Sequence, residues 1–219
     1  YPETDNLMAS YSFNGNANDD SGNGNDLIPH GGVALTYDRF GSVRSAYQFD
    51  GNDDYLISKT NFTGLEDELT IELWFYKPDN WESEYQKLIG TGTKSGWGFM
   101  ISQGPTGGVR LYSHIRNLDG LSQFTGTNNS PVPDQWHHVV LTYDGNKEIL
   151  YLDGIKVGEI SQSGNISEPG ELKIGWVYGT EYFNGKLDDI NIIQKALDSS
   201  QVLMSSSIVR LDTSIPTLA

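Results

Sequence analysis

An all-β chain, folded as an antiparallel β-sandwich or jelly roll, is what this sequence predicts. Three observations carry the prediction. Hydrophobicity alternates with period 2 along the apolar runs, as it does in strands with one buried face. Turn signals rich in Gly, Asp and Asn punctuate those runs at intervals of about 8–12 residues, the spacing of sandwiches and barrels. Helical periodicity is nearly absent, and no repeat of fixed period points to a propeller or solenoid.

Taken in chain order, Leu69-Thr-Ile-Glu-Leu-Trp-Phe-Tyr76 alternates Leu69, Ile71, Leu73 and Phe75 against Thr70, Glu72, Trp74 and Tyr76. Val109 to Arg116 alternates Val109, Leu111, Ser113 and Ile115 against Arg110, Tyr112, His114 and Arg116. Trp136 to Tyr143, Glu148 to Leu152 and Ile155 to Ile160 form a meander. Asp144-Gly145 and Asp153-Gly154 make its turns, because such pairs accept the positive φ of tight hairpins. Glu171 to Trp176 and Lys186 to Ile193 read as further strands. One short helix is expected at Asp198, where an acidic cap and Gln201 three residues on can satisfy two orphan amides reciprocally. After Leu203 the texture thins, so residues 204–219 are expected to be a tail, an edge strand or a linker.

The chain has 219 residues, no Cys and a formal net charge of -15. One large all-β domain accounts for that length, and nothing reads as an internal linker. The acidic balance opposes nucleic acid, which binds through Lys and Arg on phosphate. Apolar runs such as Ile149 to Leu152 fall far short of the roughly 20 residues a membrane helix needs. The opening Tyr1-Pro-Glu-Thr-Asp has neither the basic region nor the apolar stretch of a signal peptide; any such peptide is expected to have been removed before this sequence begins. Without Cys there is no disulfide framework and no thiolate chemistry. At 11% aromatic the chain has enough ring area to build a core.

Three stretches and a closing segment carry a resemblance. They are Tyr11-Ser-Phe-Asn-Gly-Asn-Ala-Asn-Asp-Asp20-Ser-Gly-Asn-Gly-Asn25-Asp-Leu, Ala46-Tyr-Gln-Phe-Asp50-Gly-Asn-Asp-Asp-Tyr55, and Gln135-Trp-His-His-Val-Val-Leu-Thr-Tyr-Asp144 with Leu150-Tyr-Leu-Asp-Gly154. Phe183-Asn-Gly-Lys-Leu-Asp-Asp-Ile-Asn191, followed by Ala196-Leu197, closes the set. In this order they resemble the laminin-G-like, concanavalin-A-like jelly roll of bacterial extracellular proteins, over roughly residues 9 to 203 of a domain taken as 1–203. That superfamily includes sugar-binding modules, pentraxin-like lectins, adhesin domains and some polysaccharide-degrading enzymes, so fold alone does not settle function. Trp74 and Trp136 sit within dense apolar strands and are expected in the core, which the resemblance also implies.

Asp19, Asp20, Asn23, Asn25 and Asp26 crowd one Gly-containing loop. Their hard oxygens suit Ca²⁺, and they equally suit a solvated turn that needs no metal. The resemblance implies that this loop meets Asp188-Asp189 around a shared structural Ca²⁺, with Asp20, Asn23, Asn25, Asp188 and Asp189 as ligands. Asp50, Asp53 and Asp54 form a second acidic cluster, read as a hairpin tip, with a second ion as the lesser alternative.

Catalytic patterns are missing. His137 and His138 are neighbours in a strand, so they face opposite ways and cannot share one metal. No nucleophile elbow or phosphate loop occurs. The Glu-x-Asp-x-x-Glu run of jelly-roll glucanases is not present either, and glycoside hydrolysis needs a carboxyl pair.

Binding patterns are more visible. Arg110, His114 and Arg116 share a stripe with Tyr112, where guanidinium forks and a ring suit an acidic sugar; a charge-balanced outer face is the plain alternative. Trp81 and Trp97 lie in polar loops, and Trp176, Tyr178 and Tyr182 cluster near Gly175 and Gly179, where rings can stack on sugar faces. The function expected is therefore non-catalytic recognition of an extracellular polysaccharide by a secreted, monomeric module with a structural Ca²⁺. A protein-binding adhesin or spacer domain is the alternative, and a polysaccharide lyase or hydrolase the third.

Overall fold

The alternation along each strand sorts side chains between a shared interior and two outer faces. The computed structural model describes residues 6–79, 85–92, 99–104, 110–116, 122–126, 131–167 and 170–207. In chain order the strands are β1 (Leu7–Tyr11), β2 (Leu27–His30), β3 (Ala34–Thr36), β4 (Ala46–Asp50), β5 (Tyr55–Asn61), β6 (Leu69–Lys77), β7 (Gln86–Thr91) and β8 (Phe99–Gly104). They continue as β9 (Arg110–Arg116), β10 (Ser122–Gly126), β11 (Gln135–Tyr143), β12 (Lys147–Leu152), β13 (Ile155–Ser161), β14 (Glu171–Ile174) and β15 (Asn184–Ile193), before helix α1 (Ser199–Ser206).

Two antiparallel sheets result. One runs β13-β12-β11-β6-β15-β4-β3, with β1 also pairing β15. The other runs β10-β9-β8-β7-β14-β5-β2. The expected jelly-roll sandwich is the observed fold. Between the sheets lie Leu69, Ile71, Leu73 and Phe75 of β6, the members of the alternating set the pattern assigned to one face. Leu56, Ile101, Leu111 and Ile174 oppose them from the second sheet. Truncating a ring as enclosed as Phe75 typically costs about 3–5 kcal/mol.

The meander forms as expected. At Asp153-Gly154 both residues adopt positive φ (52° and 78°), giving a two-residue turn between β12 and β13. The turn after β11 is looser: only Gly145 is left-handed there, and Asp144 Oδ1 accepts the amides of Asn146 and Lys147. Helix α1 starts with the expected capping box, Asp198 accepting from the Ser200 and Gln201 amides while its own amide donates to the Gln201 side chain. The helix runs to Ser206, across the boundary expected after Leu203; residues 208–219 lie outside the described residues.

Trp74 and Trp136 require a correction. Both are half-buried on the outer face of the larger sheet rather than in the core. Trp74 shares that face with Glu72, and Trp136 with His138, because period 2 puts i and i+2 on one side. This outer face reads as apolar because two segments cover parts of it. Val202 of helix α1, with Leu197 just before its cap, packs against Val140, Tyr151 and Ile193. The 37–43 loop lays Arg39 over Trp74, with the guanidinium 4.4 Å from the indole and 4.4 Å from the Phe40 ring.

Candidate functional site

The β4–β5 hairpin ends in Asp50-Gly-Asn-Asp-Asp54, and the carboxylates of Asp50, Asp53 and Asp54 lie within 4.8 Å of one another. Among the described residues this is the group of three metal-ligating side chains that converges. Asp50 accepts the backbone and side-chain N–H of Asn52 at 2.8 and 2.9 Å. Those bonds, the side-chain one foremost, hold its carboxyl below the usual range. Asp54 is buried and accepts the amides of Gly32 at 2.6 Å and Asp50 at 2.9 Å. Burial pushes its carboxyl upward, the neighbouring charges of Asp50 and Asp53 add to that, and together they outweigh the two amides. Gly31 lets the β2–β3 turn approach: its φ is +80°, and a Cβ there would meet the Asp53 carbonyl oxygen at 2.4 Å. Hard oxygens gathered at a tip suit a cation such as Ca²⁺, and among the described residues no Lys or Arg forms an ion pair with them.

Tyr55 follows directly and opens β5. It pairs with His30 of β2, and the two rings stack at 4.7 Å with 5° between their planes. Trp176 lies 5.1 Å from Tyr55, and Tyr182 stacks on Trp176 at 5.6 Å and 12°. The strip His30–Tyr55–Trp176–Tyr182 therefore crosses from β2 to the loop after β14. The sequence reading carried β14 on to Trp176. It ends instead at Ile174, because Gly175 turns left-handed at φ +80°. A Cβ at Gly175 would sit 2.4 Å from the Phe49 ring, so glycine is required for the loop to close down there. The Trp176 indole N–H donates to the Gly179 carbonyl at 3.0 Å, which fixes the ring.

Two lysines lie beside the strip, and both are committed. Lys87 pairs with Glu181 at 2.8 Å, with its ammonium 5.2 Å from the Tyr178 ring and 5.6 Å from the exposed Tyr85. Lys173 sits 5.0 Å from the Trp176 ring and donates to the carbonyls of Gly92 and Val177. Burial lowers the Lys173 pKa against a smaller opposing pull from Glu171. Among the described residues, the surface offers ring faces and dipoles, and its two lysines are engaged.

Of the binding residues expected from sequence, Trp176 and Tyr178 meet here, together with Tyr182. Trp81 and Trp97 lie outside the described residues. Arg110, Tyr112 and His114 belong to β9, three strands from β14, in register with Gly104, Ser102 and Met100; their side chains also lie outside what is described, and Arg116 is half-buried. Sequence reasoning missed His30, Tyr55, Lys87 and Glu181. The signal for Tyr55 is its parity: Tyr55 and Ile57 alternate against Leu56 and Ser58, which are buried.

The residues expected to share an ion between the first loop and Asp188-Asp189 make the following contacts. In the loop, Asp20 accepts from the Ser12 amide and hydroxyl. Asn23 and Asn25 donate their amide N–H groups to the carbonyl of Met8, and Asn23 also to Leu7. These two asparagines line a pocket of about 380 Å³ with Asn6, Thr63 and Gln194. Asp19 organises the turn, accepting the amides of Ser10, Ser21 and Asn25, each at 3.0 Å. Asp188 and Asp189 instead hold Arg39 at 3.1 and 2.7 Å. The cation that reconciles the acidic pair is a guanidinium.

The histidine pair separates as the alternation expects. His137 binds Asp153 through Nδ1 and the Val132 carbonyl through Nε2, each at 2.8 Å. His138 packs on Trp74 across the sheet, and burial lowers its pKa to about 4. Glu72 and Asp188, carboxylates on adjacent strands, are both fully buried. Glu72 accepts from Asn191 at 3.1 Å, and Asp188 binds Arg39.

The family model described as Concanavalin A-like lectin/glucanases superfamily matches residues 49–203. No curated protein matches the chain by sequence. Among solved structures, the chain is similar to domain 4 of AbnA, a GH43 extracellular arabinanase from Geobacillus stearothermophilus, in complex with arabinotriose. The identity is 20% and the TM-score 0.72, covering 92% of this chain and 98% of that one. It is also similar to the binding domain of Paraclostridial Mosquitocidal Protein 1 (21% identity, TM-score 0.73, 93% and 52% covered). The botulinum neurotoxin serotype D binding domain gives 13% identity and a TM-score of 0.75, with 93% and 51% covered. The chain spans about half the length of those toxin domains.

Proposed function

The chain belongs to the Concanavalin A-like lectin/glucanases superfamily, and on that premise we propose that it is a non-catalytic carbohydrate-binding module for an extracellular polysaccharide. The strip His30–Tyr55–Trp176–Tyr182 carries the proposal. Ring faces receive the C–H faces of sugars, while carbonyls and hydroxyls beside them receive the hydroxyl groups. Because Lys87 and Lys173 are internally satisfied, the ligand is a neutral glycan whose binding varies little with salt. The module acts by holding whatever it is attached to at high local concentration near its substrate, not by breaking bonds. It works outside the cell as a monomer. The adhesin alternative predicts an aromatic-poor face, which this strip is not.

For Glu72 and Asp188, burial supports the non-catalytic reading: a carboxyl pair for glycoside cleavage must reach the scissile bond, and these face Asn191 and Arg39. The tip at Asp50, Asp53 and Asp54 would hold Ca²⁺, supplying the charge that three converging carboxylates lack and bracing the end of the sandwich where Tyr55 begins. A glycan array combined with a reducing-end assay on the same panel tests the reading. Binding to neutral glycans without product is expected, and it should be lost in Trp176→Ala/Tyr182→Ala. Release of reducing ends above a heat-killed control would overturn it.

A further inference from the structure

The outer face of the opposite sheet continues past Trp74, on the side away from α1. There Trp136 of β11, Tyr76 of β6, Lys186 of β15 and Gln48 of β4 are consecutive cross-strand partners in one register row. All four are half-buried. With strands about 4.8 Å apart, the row runs about 14 Å across the sheet.

The chemistry of the row alternates ring and polar group. The Trp136 and Tyr76 rings lie 5.9 Å apart at 60°, and Lys186 Nζ is 4.8 Å from the Tyr76 ring. The Tyr76 hydroxyl donates to exposed Asp134 at 3.1 Å. Gln48 spends its amide nitrogen on the carbonyls of Phe49 and Gly185, which leaves an acceptor oxygen. Lys186 forms no ion pair among the described residues. Beside the row, the Phe40–Arg39–Trp74 stack stands as a wall, held down by Asp188 and Asp189. Donors and acceptors interleaved with rings match hydroxyl-bearing sugar faces, whereas a protein interface core is more continuously apolar.

We infer that this row is a second platform for a neutral glycan chain, on the opposite sheet from the first, so that one module bridges two chains. The inference rests on the carbohydrate-binding reading of the Trp176 strip. Two platforms on opposite faces cannot bind one straight chain segment together. Their joint effect is cross-linking of a polymer rather than tighter binding of an oligomer.

The test uses the full chain with soluble arabinan and a soluble β-glucan as polymers, and their oligosaccharides for titration calorimetry. Two sites per chain and turbidity with the polymer are expected. Trp136→Ala should remove one site and the turbidity while leaving the other site's affinity unchanged, and Lys186→Ala should weaken the same site. Trp136→Phe should rescue it. Trp176→Ala/Tyr182→Ala should remove the complementary site. One site per chain, indifferent to both Trp136→Ala and Lys186→Ala and lost in Trp176→Ala/Tyr182→Ala, overturns this inference and leaves the proposed function standing. Loss with Trp136→Ala alone supports the row and removes the strip from the proposal. No binding of either polymer or its oligosaccharides by any form overturns both.

Discussion

The loop at Asp19–Asp26 and the tip at Asp50–Asp54 read alike in sequence, as short acidic runs interleaved with Gly and Asn, yet they dispose of their charge in opposite ways. In the loop, Asp19 spreads its carboxylate over three backbone amides, and Asp26 accepts the Asp19 amide and pairs with Lys59 at 3.0 Å. Amides and one ammonium meet those two carboxylates. At the tip three carboxylates converge, and the amides that Asp54 accepts do not offset its burial and its neighbours. The difference teaches that an acidic cluster suits a cation where geometry concentrates charge, not where composition does.

The comparison would break first at the third acidic segment, where a side chain supplies the cation. Arg39→Ala leaves Asp188 buried without its partner, and removing one member of a buried pair costs about 3–5 kcal/mol. Urea denaturation measures this, and a loss under about 1 kcal/mol would mean that the clamp is dispensable. Next comes the tip. Ca²⁺ at a hundredfold excess over its dissociation constant should add about 2.7 kcal/mol, read as a rise in melting temperature over an EDTA control. Asp53→Asn should shrink the rise, while Asp20→Asn should leave it intact. The reverse pattern would return the ion to the loop.

A smaller effect is expected from Asp19→Ala, at about 2 kcal/mol for three lost amide acceptor contacts, with Asp19→Asn costing about half as much. That loss should not depend on Ca²⁺, and dependence would blur the distinction drawn here. The smallest effect concerns pH. Burial, with the charges of Asp50 and Asp53, raises the Asp54 carboxyl above the ordinary range, so it takes up a proton more readily in the folded apo state. The sign follows: as pH falls through that raised value Asp54 takes up a proton, and Ca²⁺ affinity weakens before an ordinary carboxylate would titrate. Calorimetric titration of Ca²⁺ between pH 4 and 7 (a window set by ordinary carboxylates) should show weakening only at the acid end, and a flat profile would contradict it.

The strands were legible because period 2 is a local property. Leu69 to Tyr76 names its own faces, and β6 extends that run by one residue. What alternation does not tell is which outer face meets water. Trp74 and Trp136 looked like core because they sit within dense apolar strands, but part of that apolar character, at Val140 and Ile193, serves α1, a contact made far along the chain. The Trp176–Tyr182 segment stood out as rings among glycines. His30 and Tyr55 did not, since their stacking comes from β2–β5 pairing rather than from either neighbourhood. Arg39 was invisible for the same reason: 149 positions separate it from Asp188, and nothing in Tyr37-Asp-Arg-Phe40 announces a partner.

Pro29 sits in β2, the edge strand of the smaller sheet. The Leu27 amide, two residues earlier, points away from β5 to the Ala17 carbonyl at 3.0 Å. By the same period the missing N–H of Pro29 falls on that open side, where an invading strand would look for a donor. At the far edge of the other sheet, β13 is interrupted by a register shift and carries Lys156 and Glu159, a charged pair joined to Lys147 of β12. One edge of each sheet therefore resists edge-to-edge growth. At these two edges, protection against fibrous self-association is written into one imino acid and one charged rim.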